Sequence, residues 1–124
     1  NLFLYTWLFR CFGAVREMRG NLIEDWVGST VYTVRSGFRQ TNYANKFVDF
    51  VSDNLSVSVK SVRNMTSSWK GSMKKHIREL ANNIDGNVRL DIRYNAEGMD
   101  QSIIDELVEY GQKNGVEVIT NAFD

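Results

Sequence analysis

One cysteine and one histidine are all the chain has of those two residue types in 124 residues. Cys11 has no second thiol with which to close an internal disulfide, so packing must hold the fold, and that fold should survive a reducing compartment. Between Phe9 and Phe12, Cys11 reads as a small buried hydrophobe. A lone His76 excludes a His-rich metal site and the paired histidines of a ribonuclease mechanism within this chain; beside Trp69 and Met73 it reads as a packing residue on a helix face. There is no Gly-rich phosphate loop, no CxxC and no GxSxG nucleophile turn. Long apolar runs are missing too. Leu2 to Phe9 is greasy, but Arg10 interrupts it, and a membrane span needs about 20 apolar residues. The segment also opens without the positive charge of a secretory signal, which leaves a core-facing or interface helix.

Net charge is the last thing lacking: 15 Lys and Arg balance 15 Asp and Glu. The balance conceals a sorting. Residues 10–78 hold twelve basic against five acidic residues, and residues 79–124 hold three against ten. A basic half can meet phosphates even where the total cancels, because affinity follows the local field. The plainer alternative is two ordinary solvated surfaces. At this length one core and one site are expected, so residues 1–124 are taken as a single domain, with an N-terminal helix over 1–19 and a core over 20–124. A chain that begins at Asn1 rather than Met suggests a processed product or a domain of something longer.

Apolar spacing predicts helices over 2–19 and 21–27. The β-branched run 30–35 predicts a short strand, and the polar residues 36–45 a loop. In 47–62 two β-type runs flank Ser52-Asp53-Asn54, which predicts a hairpin. A two-residue turn at Asp53-Asn54 sets Asp49 across from Ser58 and Phe50 across from Val57. Val48, Phe50, Val57 and Val59 then share one face, and Asp49, Ser56, Ser58 and Lys60 the other. A helix over 64–83 follows, then a strand at 88–94. Asp100 or Ser102 can cap a further helix that Asn114-Gly115 closes, and a last strand covers 116–120. Residues 87–120 make a right-handed βαβ unit. The fold class is therefore α/β, with a mixed sheet, an antiparallel hairpin, a C-terminal βαβ unit and N-terminal helices, in the order of a restriction-endonuclease-like core.

The chemistry sits on the hairpin. Phosphodiester hydrolysis uses a divalent cation held by carboxylates that leave coordination positions open, and Asp49 is a natural ligand. Lys60, on the same predicted face, is suited to orient the attacking water and stabilise developing charge. The plain alternative is a cross-strand Asp49–Lys60 ion pair worth less than about 1 kcal/mol. Lys70, Lys74, Lys75 and Arg78 on the following helix are candidates for phosphate contact, or else form a solvated face. Val34-Arg35-Ser36-Gly37 hints at an ADP-ribosyltransferase, but no convincing downstream pair of acidic residues accompanies it.

The run from Phe47 to Asp53, Ser58-Val59-Lys60-Ser61-Val62, the helix with Ser67-Ser68-Trp69-Lys70-Gly71-Ser72, and the Tyr-Gly-Gln-Lys-Asn-Gly-Val-Glu-Val-Ile segment ending at Ile119 together resemble a known group. They look like the C-terminal endonuclease toxin domains of contact-dependent inhibition and related polymorphic toxins, which are PD-(D/E)xK nucleases. The resemblance covers about residues 20–120. It implies Glu24 and Asp49 as ligands of a divalent metal (Mg²⁺ or Zn²⁺), Ser58 as a supporting residue and Lys60 as the residue serving the nucleophile. Asp25 and Glu17 are the other carboxylates near the Glu24 position. It also implies DNA as substrate, or tRNA on the same fold, and a cognate immunity protein as partner. Delivery as part of a larger secreted or cell-surface protein, with action in the target-cell cytoplasm, is implied as well. A different class, a non-enzymatic binding module using the apolar N-terminal helix, predicts that Asp49 and Lys60 are dispensable. Two departures from the group stand out: a short link between the Asp and the Ser-x-Lys, and a trimmed segment between Asn83 and Val88.

Overall fold

The computed structural model describes residues 21–41 and 46–123; the helix expected over 2–19 lies outside the described residues. Helix α1 (Asn21–Thr30) is longer than the spacing predicts. It runs into the β-branched stretch because Ser29 Oγ and Thr30 Oγ1 donate back to the carbonyls of Asp25 and Trp26, at 3.0 and 2.8 Å. No strand forms over 30–35. Thr33 and Ser36 close a turn through their hydroxyls, Gly37 takes φ 91°, and Tyr32 is pinned by its hydroxyl to Asp91. Tertiary anchoring and turn chemistry here override β propensity. Part of the expected loop is instead strand β1 (Arg39–Gln40).

The hairpin register agrees with the sequence spacing. Phe50 of β2 (Phe50–Val51) pairs with Val57 of β3 (Ser56–Val62), and Val51 with Ser56. β1 adds antiparallel to β2, with Gln40 opposite Phe50. β3 then pairs parallel with β4 (Val88–Tyr94), and β4 parallel with β5 (Val116–Ala122). The result is a five-stranded mixed sheet in the order β1-β2-β3-β4-β5. Two crossover helices, α2 (Ser67–Asn83) and α3 (Gln101–Asn114), join the parallel strands and pack on one another.

Helices α2 and α3 start where their sequences supply the cap. Thr66 Oγ1 accepts the Trp69 N–H at 3.1 Å, and Asp100 accepts the N–H groups of Ser102 and Ile103. Gly115, at φ 76°, ends α3 in the left-handed conformation. The apolar stripes of these helices, Met73, Ile77 and Leu80 with Ile103, Ile104 and Leu107, bury Leu90, Ile92, Val116 and Val118 on one face of the sheet. The other face is covered at its β2–β3 end by a smaller cluster of Val27, Tyr32, Phe50 and Val57.

Val48 departs from the alternation expected of it. It joins the cluster under α2 and α3, whereas Phe50 and Val57 lie in the cluster under α1. The chain is not strand before Phe50: Thr41 donates its N–H to the Asp49 carbonyl and its hydroxyl to the Val48 carbonyl. That local twist at Asp49 separates its two neighbours to opposite faces.

Two glycines give opposite predictions. Gly98 ends the 3₁₀ turn Ala96–Gly98, and a Cβ there would penetrate the Arg63 carbonyl and sit 2.8 Å from Asn64 Oδ1. Gly98→Ala should cost about 1–3 kcal/mol in urea denaturation, since backbone must move. Gly71, inside α2 with open space at its Cβ, should instead gain about 0.5–1 kcal/mol when changed to Ala.

Candidate functional site

Strand β2 begins only at Phe50, opposite Val57, so the edge of β3 beyond Val57 is free to take a side chain. The Asp49 carboxylate takes that place: its Oδ2 accepts the Val59 N–H at 2.8 Å. A ladder bond has been replaced by an acidic side chain lying along the sheet edge. Glu24, on the α1 helix that covers this edge, lies against Asp49, and the Gln40 side chain of β1 lies close enough to favour the ionised form of Glu24. Three segments far apart in sequence thus meet at one point.

Burial and the neighbouring Asp49 carboxylate push the Glu24 carboxyl up to about 7, against 4.5 ordinarily. Two carboxylates held this close favour sharing a proton over both being ionised. The folded state therefore holds the Glu24 proton more tightly than the unfolded chain does. The stability so contributed is complete below about pH 4.5 and is lost as pH rises through about 7. With divalent ions chelated, wild type should lose stability relative to Glu24→Gln across that window; parallel denaturant titrations at pH 4.5 and pH 8 measure the difference.

Lys60 leaves β3 on the α2 side, on the same face as Ser58. Ser58 is fully buried, and its Oγ shares a 2.8 Å hydrogen bond with His76 Nε2 of α2. Burial lowers the His76 pKa below 6.5, and the nearby Lys60 ammonium lowers it further, while Glu79 and Asp49 oppose. His76 is therefore neutral at physiological pH, with one ring nitrogen engaged by Ser58. Two groups therefore flank β3: Glu24, Asp49 and Gln40 at its edge toward α1, and Lys60, Ser58 and His76 on its α2 side, where the charges of Lys60 and Asp49 both act on His76.

Of the residues singled out by sequence, Glu24 and Asp49 meet, Ser58 and Lys60 lie on the α2 face of the adjoining strand, and the basic residues of α2 divide. Lys70 and Lys74 both reach Glu106 of α3, at 3.2 and 2.6 Å. Lys74 also lies 5.1 Å from the centre of the Tyr110 ring, and Arg78 Nη1 donates to the Tyr110 hydroxyl at 2.8 Å. These three seam α2 to α3, and only Lys75 points elsewhere as an exposed cation. Asp25, the neighbour of Glu24, is exposed and turns away from the cluster's centre, though its charge adds to the rise at Glu24. Sequence spacing missed His76 and Gln40. His76 carried a usable signal, a polar residue beside Met73 and Ile77 on the buried stripe of α2; Gln40 carried none, because a two-residue strand is placed only by its pairing with β2.

No protein-family model matches the chain, and no curated protein matches it either. A solved structure does resemble it: the CdiA-CT/CdiI toxin and immunity complex from Yersinia pseudotuberculosis, at TM-score 0.56 and 18% sequence identity, covering 82% of this chain and 98% of that chain. The class so defined is one of architecture, an α/β domain with a mixed five-stranded sheet of the kind present in that complex.

Proposed function

We propose that the Glu24–Asp49–Lys60 corner is the active site of a metal-dependent nuclease of the PD-(D/E)xK kind, and that the chain is a toxin domain. The observation that carries this is the convergence of two carboxylates from separate segments, Glu24 on α1 and Asp49 before β2, at the edge of the strand β3 that also carries Lys60. A carboxyl whose proton is held more tightly because a second carboxylate lies against it is the arrangement a divalent cation relieves. Among the described residues no three of His, Cys, Asp and Glu gather as a ligand set. Two carboxylates with remaining positions for water fit Mg²⁺ better than the three or four protein ligands usual for Zn²⁺.

A cation held by Glu24 and Asp49 would supply Lewis acidity at a phosphoryl oxygen and a water of lowered pKa. The chain's own residues do the rest. Lys60 places a fixed positive charge where the phosphodiester becomes more negative and orients the attacking water. Asp49, fixed by the Val59 N–H, cannot swing away from the edge of β3. Gln40 holds Glu24 toward Asp49, and the Ser58–His76 bond ties α2 to the strand that carries Lys60. Because cation and proton compete for Glu24, Mg²⁺ affinity should rise with pH up to about 7 and level off above it.

The toxin role is supported by the likeness in fold to the toxin and immunity complex. It carries with it a cognate immunity protein as partner, delivery as part of a larger protein, and action on DNA, or alternatively tRNA, in the cytoplasm of a target cell. Incubating the purified protein with plasmid DNA and with tRNA, in Mg²⁺, Zn²⁺ or EDTA, should give cleavage of at least one nucleic acid in Mg²⁺ and none in EDTA. No cleavage of either in any metal sinks the proposal.

A further inference from the structure

Beside the carboxylate corner lies a cavity of about 370 Å³ with no part in the chemistry described so far, yet built from the same two segments. Asp25 is the neighbour of Glu24 and Phe50 the neighbour of Asp49; both line it, as does Gln40, which also lies near Glu24. Its floor is aromatic. Tyr32 stacks on Phe50 with ring centres 5.4 Å apart and meets Phe38 edge-on at 5.2 Å, and the Tyr32 hydroxyl is already committed to the buried Asp91. The floor rings are therefore fixed before any ligand arrives. The rim is polar on the α1 side, with the exposed Asp25 carboxylate and Ser29, and apolar on the other, where Val34 is 85% exposed.

An aromatic floor of fixed orientation, a carboxylate and an amide at its edge, and a volume near the lower end for small-ligand sites are the features that receive a flat heterocycle. We infer that this cavity takes one unpaired nucleobase adjoining the scissile phosphate, stacked on the Phe38 side of the aromatic floor, with Gln40 and Asp25 facing its hydrogen-bonding edge. The inference rests on the nuclease assignment and deepens it. Asp25 accepts hydrogen bonds only, so it favours a base with an exocyclic amine or a ring N–H toward it. A base inside a duplex cannot enter, so the site selects single strands, loops or a flipped nucleotide.

The test uses two substrates. Ser29→Trp, which fills the cavity from its exposed rim, should lower kcat/KM on a single-stranded oligonucleotide roughly 10-fold or more, as should Phe38→Ala, which removes part of the floor. Both variants should cleave bis(p-nitrophenyl) phosphate, a diester without a base, at the wild-type rate, which also shows that they fold. An abasic nucleotide beside the cleaved bond should reproduce the loss with wild-type protein, and the same sequence in a duplex should be cut more slowly. If wild type cleaves the oligonucleotide but neither variant nor the abasic substitution changes the rate, the pocket assignment is overturned and the nuclease assignment stands. If wild type cleaves neither substrate, both fall.

Discussion

Asp49→Asn and Lys60→Ala should each reduce Mg²⁺-dependent cleavage by roughly 10²–10³-fold or more, because the first weakens the hold on the cation and the second removes a positive charge aimed at the reacting phosphate. The two differ in what else they disturb. An Asn amide oxygen can still accept the Val59 N–H that Asp49 Oδ2 accepts at 2.8 Å, so Asp49→Asn should keep the sheet edge and its denaturation midpoint. Asp49→Ala leaves that N–H without its partner and should cost about 1–3 kcal/mol besides the activity. Lys60→Ala removes a cation that disfavours the charged form of His76, so the His76 pKa should move upward. An NMR titration of the single imidazole measures this directly. A non-enzymatic binding module, or a simple surface ion pair, predicts no loss of function in either variant.

The largest effect on stability is expected at Asp91, which has no role in the proposed chemistry although it sits across from Val59, one strand in from Asp49. Its side chain is fully buried on β4, where it accepts from the Tyr32 hydroxyl at 2.5 Å and from Arg93 Nε and Nη2 at 3.0 and 2.9 Å. Arg93 is itself only 7% exposed. Asp91→Ala therefore strands a buried guanidinium and should cost about 3–5 kcal/mol, a large share of what a domain of this size possesses. Burial and the Asp91 carboxylate push the Tyr32 hydroxyl up to about 12, so that bond persists across the ordinary pH range. Tyr32→Phe gives up one hydrogen bond and leaves the Arg93 pair intact, so its cost should be nearer 1 kcal/mol. Urea denaturation at pH 7 ranks the two; equal losses would mean that the ion pair does not govern this end of the sheet.

Much of the architecture could be read from apolar periodicity, and the failures have identifiable causes. The strand at 88–94, the helix capped by Asp100 and closed at Gly115, and the hairpin register at Phe50–Val57 all follow from local signals that tertiary packing reinforces. The stretch 30–35 did not become a strand because Ser29 and Thr30 extend α1 and because Tyr32 is held by Asp91, 59 residues away. No local window contains that partner. Val48 faces the other side of the sheet for a related reason: the bonds that twist the chain at Asp49 come from Thr41, outside the hairpin. In the candidate site, the local signal placed Asp49 next to the edge of β3, because the hairpin register follows from the turn. Gln40 and the Ser58–His76 bond were not legible, since they depend on which elements pack across the corner. The basic helix shows the limit of charge counting: Lys70, Lys74 and Arg78 look like a phosphate-facing set in sequence, while in the fold they are turned toward Glu106 and Tyr110.

The central claim is that Glu24 and Asp49 together hold a divalent cation beside Lys60. Crystals soaked in Mn²⁺ at pH 8, where Glu24 should be ionised, provide the most direct measurement through anomalous scattering. The predicted result is one peak between the two carboxylates, at about 2.0–2.2 Å from an oxygen of each, that disappears in Asp49→Asn. A protein that cleaves nucleic acid in Mn²⁺ but shows its peak elsewhere, or shows one here that survives the loss of Asp49, would contradict the account.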